Sequence, residues 1–458
     1  MKYKIIFLII LTLGFAVRLY KITSPVADWH SWRQADTSSV TRNFVKYGVD
    51  MLYPRYDDFS DVSGKGLFNP NGYRFVEFPI FNLIHYTLFS TFGLLTLETW
   101  GRITSVLATL ISSVLIYFIL CRKADKSVGL LGMGFFLFLP YNIFFTRIIL
   151  PESLMVTLSL VALVLFDYKK IYLSAIFGAL AVLVKPVALF LLMPIFWQWW
   201  RECKLQLFKS KLFWIWNLIL FTPFLMWRIW EARYPMGVPA NIWLLNGNGI
   251  RFKGAFFQWI FGERIGHLIL GSWGIYPLLE GLVAINSYWL AWVIGALAYL
   301  TVFATGNVHH DYYQITIIPI ISIILALGVS RANTFIKKLL MLVCVLFMFA
   351  FSWYEVRGRY QINHYSIVNA GRAVDRLIPK DAVVLAPYNG DTAFLYQTNR
   401  RGFPFVYFPV KDFIDNYGVT YYVSVNYDTL TREVMNKYTV VEQNPDFVIV
   451  KLEELQRL

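Results

Sequence analysis

Apolar residues come along this chain in blocks of roughly membrane-spanning length, separated by short polar turns. A bilayer-spanning helix takes about 20 apolar residues. The first block runs from Ile5 to Tyr20, behind Lys2 and Lys4. A cleaved signal peptide would need small residues at its end, which Pro25 and Ala27 supply poorly, so a retained helix is expected. Further blocks lie at about 101–120, 128–146, 152–167, 171–185, 187–200, 212–230, 265–283, 287–305, 314–330 and 338–354. Residues 79–97 are apolar but broken by Asn82, His85 and Gly93. That stretch either spans or lies along the interface. Two long regions lack such blocks, 21–78 and 355–458.

In the second region the period changes. Ala382–Ala386, Thr420–Val425 and Phe447–Val450 read as short buried strands, with helical stretches at 367–377 and 429–437 between them. Strands alternating with helices predict a small α/β domain over 355–458. The expected organisation is a transmembrane domain, 1–354, with a first outer loop over 21–100, and this C-terminal domain.

Composition sharpens the class. Of 458 residues, 57% are apolar and only 15% are charged. A soluble domain carries about 25% charged residues. A cytosolic enzyme and a disordered chain are therefore excluded. The three cysteines, Cys121, Cys203 and Cys344, show no paired spacing, so neither a disulfide framework nor a zinc site is expected.

The net charge of +14 then chooses a topology. If 79–97 does not span, alternate loops, beginning with the N-terminus, together hold +10 of that charge. The 21–78 loop holds seven cations and seven anions, and the 355–458 tail twelve of each. This is the positive-inside pattern. It predicts eleven spans, a cytoplasmic N-terminus, and the long loop and tail outside the cytoplasmic membrane. The basic balance is thus a topology signal, and no nucleic-acid partner is expected.

Polar chemistry gathers on the predicted outer face. The densest run is Asp28–Trp29–His30–Ser31–Trp32–Arg33–Gln34–Ala35–Asp36–Thr37. If 33–47 is helical, Asp36 lies one turn from Arg33, and an acid beside a cation suits a general base. A solvated helix start with belt tryptophans would account for the same residues. Other clusters are Glu77–Phe78–Pro79, Arg147 with Pro151–Glu152, Lys185–Pro186, and His309–His310–Asp311–Tyr312–Tyr313. Helix-start charge explains Pro151 and Glu152 but not Arg147. Adjacent histidines rarely chelate one ion, so no metal is expected. The predicted spans hold no Asp/Glu/His relay of the kind a proton-coupled transporter needs. Cations facing carboxylates beside a lipid phase suit a phosphate-linked lipid.

The run His30–Ser31–Trp32–Arg33–Gln34–Ala35–Asp36–Thr37 resembles the first-loop HxWRQxDT motif of bacterial membrane glycosyltransferases. These are similar to the dolichyl-phosphate-mannose–protein mannosyltransferase and aminoarabinose transferase group (glycosyltransferase family 39-like), which has the GT-C fold. Five further stretches match in order: Glu77–Phe78–Pro79, Arg147 with Pro151–Glu152, Leu183–Val184–Lys185–Pro186, His310–Asp311–Tyr312–Tyr313 with Pro319, and Tyr396 with Asn399–Arg400–Arg401–Gly402. The commoner pattern has an adjacent Asp–Glu pair in the first loop, where this chain has Arg33–Gln34.

The resemblance implies a polytopic α-helical GT-C-like protein with interfacial helices in its first outer loop. It implies a polyprenyl-phosphate sugar donor, an acceptor hydroxyl on a lipid, glycan or protein, contact with membrane lipids, and no cofactor. The base would be Asp36, with Asp28 the alternative. Arg33, Arg147 and Lys185 would hold the phosphate. His30, Trp32, Gln34, Glu77, Glu152, His310, Asp311 and Tyr312 would orient the sugar or these cations. The alternatives are a glycan polymerase or ligase using lipid-diphosphate donors, and a lipid or sugar transporter.

Overall fold

The computed structural model describes residues 2–454. Met1 and residues 455–458 of the expected tail domain lie outside the described residues. The chain divides into two compact units. A helical unit holds residues 1–22, 102–230 and 241–359, and a mixed unit holds 23–101, 231–240 and 360–458.

The apolar blocks of the helical unit are helical over most of their length, with turns at residues 270–274 and at Phe303. Among the described residues, four helices are long and apolar enough to cross a membrane: Leu97–Lys123, Lys211–Glu231, Tyr313–Ser330 and Phe335–Tyr360. Shorter apolar helices include Lys126–Phe138, Ile171–Val184 and Ser287–Val302. This is an integral membrane architecture. The apolar window of Tyr313–Ser330 is 83% buried, against 22% for Lys211–Glu231 and Phe335–Tyr360. The first therefore forms the core of its unit, while the other two turn apolar faces outward, as lipid contact requires.

Two blocks break for local reasons. Residues 128–146 form Lys126–Phe138 and Pro140–Phe145, because Pro140 cannot continue the first helix and starts the second. Residues 187–200 break similarly before Pro194, giving Ala188–Leu191 and Met193–Cys203. Small residues set the closest helix crossing: a Cβ on Gly328 would lie 1.9 Å from the Pro277 carbonyl, and one on Gly281 2.0 Å from that of Ile324.

The mixed unit contains a five-stranded sheet, β1 (Val383–Leu385), β2 (Arg401–Phe403), β3 (Val419–Ser424), β4 (Tyr438–Gln443) and β5 (Val448–Glu454), in the order β2-β1-β3-β5-β4. The first three strands are parallel, and β5 pairs antiparallel with β3 and β4. The loop segment Asp57–Phe59 continues the sheet beyond β2. The Phe59 amide donates to the Gly402 carbonyl (2.8 Å) and the Gly402 amide to the Asp57 carbonyl (2.9 Å). Phe59 enters the core under the sheet with Phe403, Phe413, Tyr422 and Val448. Gly402 has φ 157°, and a Cβ there would lie 1.8 Å from the Val384 carbonyl, so only glycine fits. Residues 79–97 give a helix of 13 residues, Ile80–Phe92. At ~1.5 Å per residue it falls short of a bilayer core of ~30 Å.

Candidate functional site

In the mixed unit, the polar run after the first helix turns sharply into a second. His30 adopts a left-handed conformation (φ 56°), and the helix Ser31–Tyr47 starts after it. The first turns of this helix bury Arg33, Gln34, Asp36 and Thr37. Burying them requires partners. The Arg33 guanidinium reaches Glu77 Oε1 at 2.6 Å, with both side chains buried. Gln34 Nε2 donates to Asp28 Oδ1 at 2.6 Å. Thr37 Oγ1 donates back to the Arg33 carbonyl.

Asp36 takes different partners from those its spacing implied. It does not pair with Arg33. Its Oδ2 accepts from Arg74 Nη2 at 2.5 Å, and its Oδ1 from Thr392 Oγ1 at 2.7 Å. Arg33 points to Glu77 instead, so each acid receives its own guanidinium. The Arg74 guanidinium also sits 4.9 Å from the Tyr56 ring centroid. Two further carboxyls lie in the field of Asp36. Burial pushes Asp391 up to about 6, and the Asp36 charge adds to this. Burial likewise pushes Asp58 up to about 6, against the pull of hydrogen bonds from Ser60.

The Trp32 carbonyl lies 3.1 Å from Thr392 Oγ1 and shares its single proton with the nearer Asp36 carboxylate. The His30 ring packs edge-on to Trp29, their centroids 5.3 Å apart.

In the helical unit, Pro151 begins the turn into Glu152–Asp167. Glu152 there pairs with the Lys185 ammonium at the end of Ile171–Val184. The Glu152 Oε2 atom is buried with no hydrogen bond, as is Ser153 Oγ. The Lys185 ammonium also lies 5.9 Å from the Tyr312 ring centroid and 5.6 Å from that of Tyr313. Arg147 is fully buried, and its Nη1 donates to the carbonyls of Tyr20 (2.9 Å) and Lys21 (2.7 Å). It thus satisfies backbone acceptors just beyond the helix Lys2–Arg18. Asp311 Oδ2 accepts from Arg359 Nη2 (2.9 Å) and Nε (3.2 Å). The His310 ring packs on Trp243, with centroids 5.7 Å apart. Among the described residues, no three His, Cys, Asp or Glu side chains gather as metal ligands would.

No protein-family model and no curated relative matches the sequence. Solved structures do match. The chain superposes on ArnT from Cupriavidus metallidurans in the apo state with a TM-score of 0.70 at 12% identity, covering 97% of each chain. On the same protein bound to undecaprenyl phosphate the TM-score is 0.67 at 13% identity, covering 97% of this chain and 98% of that one. On the Archaeoglobus fulgidus oligosaccharyltransferase in complex with Zn and sulfate it is 0.58 at 10% identity, covering 92% of this chain and 67% of that one. The chain has the GT-C fold.

Within this GT-C fold, several residues around the candidate groups escaped sequence reasoning. Arg74 sits in a loop between unremarkable residues, and Thr392 lies 356 positions from Asp36. Arg359 lies 48 positions from Asp311. No local sequence signal marks these partners, because the first loop is balanced in charge and the others lie far along the chain.

The two tail arginines share one role. Arg400 is buried and donates to the carbonyls of Ile378 (2.6 Å) and Pro379 (2.7 Å). Arg401 donates to the Asn71 carbonyl at 2.6 Å. Both arginines therefore hold backbone within the mixed unit.

Proposed function

We propose that the protein transfers one sugar from a polyprenyl-phosphate donor to an acceptor hydroxyl at the outer face of the cytoplasmic membrane. The observation that carries this reading is a GT-C fold along 97% of the chain, shared with a protein solved with undecaprenyl phosphate bound. The paired acids and cations described above supply chemistry for such a step. The charge pattern supports eleven spans, a cytoplasmic N-terminus, and the 21–78 loop and the tail outside.

In the proposed step the acceptor oxygen attacks the anomeric carbon. The bond from that carbon to the phosphate oxygen breaks, and polyprenyl phosphate leaves with the electron pair. The acceptor proton passes to a carboxylate, Asp36 in preference to Asp28. Such a base contributes ~10²–10⁴ in rate. Asp36 would release the Thr392 hydroxyl to take up the acceptor, while Arg74 keeps the other oxygen in place. Arg33, Arg147 and Lys185 are the proposed phosphate contacts. Lys185 would share its charge between Glu152 and the leaving phosphate. Cationic side chains can stabilise that group, so the scheme needs no metal.

The test is transfer by purified protein in lipid vesicles, with matched monophosphate and diphosphate polyprenyl donors. Transfer from the monophosphate, and its loss in folded Asp36→Asn, supports the reading. Transfer from the diphosphate alone selects a ligase. Asp36→Asn turnover near the wild-type rate removes Asp36 as the base.

A further inference from the structure

Apart from the Asp36 cluster, the mixed unit holds an open cleft of about 490 Å³. Its walls are the segment 23–26, Arg42 of the helix Ser31–Tyr47, Thr96 with the first residues of the helix Leu97–Lys123, one face of the helix Ser366–Leu377, and the segment 396–399. Gly371 lets two of these walls meet: a Cβ there would lie 2.4 Å from the Gln397 carbonyl. The size falls within the ~300–1,000 Å³ of small-ligand sites. Such sites are mostly apolar. This lining instead carries hydroxyls and amides, among them Thr96, Gln397 and Asn399.

The charges around the cleft do not cancel. Glu98 Oε1 accepts the Tyr396 hydroxyl at 2.6 Å. Asp375 is held by Lys380 (2.6 Å) and Arg400 (3.0 Å), and these donors keep its carboxyl at about 2 in spite of burial. Both lining acids are thus committed to the protein. Arg42 pairs with Asp57, and its guanidinium stacks 3.9 Å from the Tyr396 ring centroid. Arg372 lines the cleft, is exposed, and has no ion pair among the described residues. At the rim, the Lys46 ammonium donates to Asn399 Oδ1 at 2.8 Å. Burial, then repulsion from Arg42, lowers its pKa. Outside ion pairs among the described residues stand two cations, Arg372 and Lys46, against one acid, Glu98, which a neutral hydroxyl holds, so the balance is cationic.

We propose that this cleft binds an anionic saccharide, whose carboxylate or phosphate meets Arg372 while its hydroxyls exchange into the hydrogen bonds that Asn399 makes with Lys46 and Asp375, Gln397 with the Val26 carbonyl, and Thr96 with Thr99. A lipid tail would find too little apolar wall here, and a neutral sugar would leave the Arg372 charge unused. Binding here needs no donor lipid, so it can be measured whether or not the chain transfers sugar.

The experiment is isothermal titration of the full chain in detergent with four probes: digalacturonic acid, galactose 6-phosphate, neutral galactobiose and inorganic phosphate. At least one acidic sugar should bind, more weakly as salt rises. Arg372→Glu should weaken that binding about tenfold or more, the scale of one charge-assisted hydrogen bond. Arg372→Lys should retain part of it. The side chain is exposed, so unfolding midpoints should not move. Binding by digalacturonic acid alone assigns a uronate, and by galactose 6-phosphate alone a sugar phosphate. The proposal is overturned if neither acidic sugar binds, if galactobiose or inorganic phosphate binds as well as they do, or if Arg372→Glu binds like wild type.

Discussion

Arg74 and Asp36, 38 positions apart in the chain, meet at 2.5 Å with side chains 11% and 4% exposed. The contact fixes the helix Ser31–Tyr47 to the loop beneath it, and Thr392 ties the same carboxylate to the tail. Removing one partner of such a buried pair leaves a charge without compensation, at a cost of about 3–5 kcal/mol. Arg74→Met should therefore destabilise the mixed unit by that order. Adding Asp36→Asn should recover part of the loss. Thermal unfolding of the single and double variants in detergent measures both. A double variant no more stable than Arg74→Met would show that the pair does not hold the loop.

Asp391 predicts an effect of pH. Its folded value, about 6, lies above the ordinary 3.8, so the folded state binds the proton more tightly than the unfolded chain. Stability from this group is present at low pH and declines as pH rises through the interval from about 4 to 6. Asp58 acts in the same direction. Asp375, lowered to about 2, acts oppositely and only below about 4. Asp391→Asn keeps the helix cap to the Ala393 amide and removes the buried charge. It should add about 1–3 kcal/mol at pH 7 and flatten the slope between pH 4 and 6. Denaturation midpoints across that range test this; an unchanged slope would discount Asp391.

Gly402→Ala should unfold the sheet of the mixed unit. The added methyl would fall on the Val384 carbonyl, between β1 and β2, at a backbone angle that side chains rarely adopt. Overpacking alone costs about 1–3 kcal/mol. Limited proteolysis should cut the tail of the variant but not of wild type, and equal resistance would count against the strand pairing.

Lys185→Gln separates two roles of one cation. It leaves Glu152 buried without its partner, which predicts lost stability. The double variant Lys185→Gln/Glu152→Gln removes both charges and should restore stability. If Lys185 also holds the donor phosphate, turnover in the double variant should stay ~10²–10³ below wild type. Recovery of both stability and turnover would leave Lys185 a purely structural partner.

Much of the helical unit was legible because apolar helices are written in contiguous composition. A run of apolar residues becomes a helix whatever lies beside it, since no other local structure satisfies its backbone in lipid. The breaks before Pro140 and Pro194 needed finer reading, because both fall inside apolar runs. In the tail, the three most apolar strands, β1, β3 and β5, stood out. The short β2 was hidden by its charged first residue, Arg401, and the exposed β4 by its polar ends. The helices Thr392–Gln397 and Val410–Tyr417 were too short to show a period.

The sequence by itself determined the class of the protein, the place of its apolar blocks and the balance of charge between its loops. Those properties are sums over neighbours along the chain. Pairing is not such a sum. Only the tertiary structure decided that Arg33 meets Glu77 rather than Asp36, that Arg74 and Thr392 meet Asp36, and that Arg372 has no ion pair among the described residues. A buried charge takes the partner that folding brings within about 3 Å, and separation along the chain says little about which one that is.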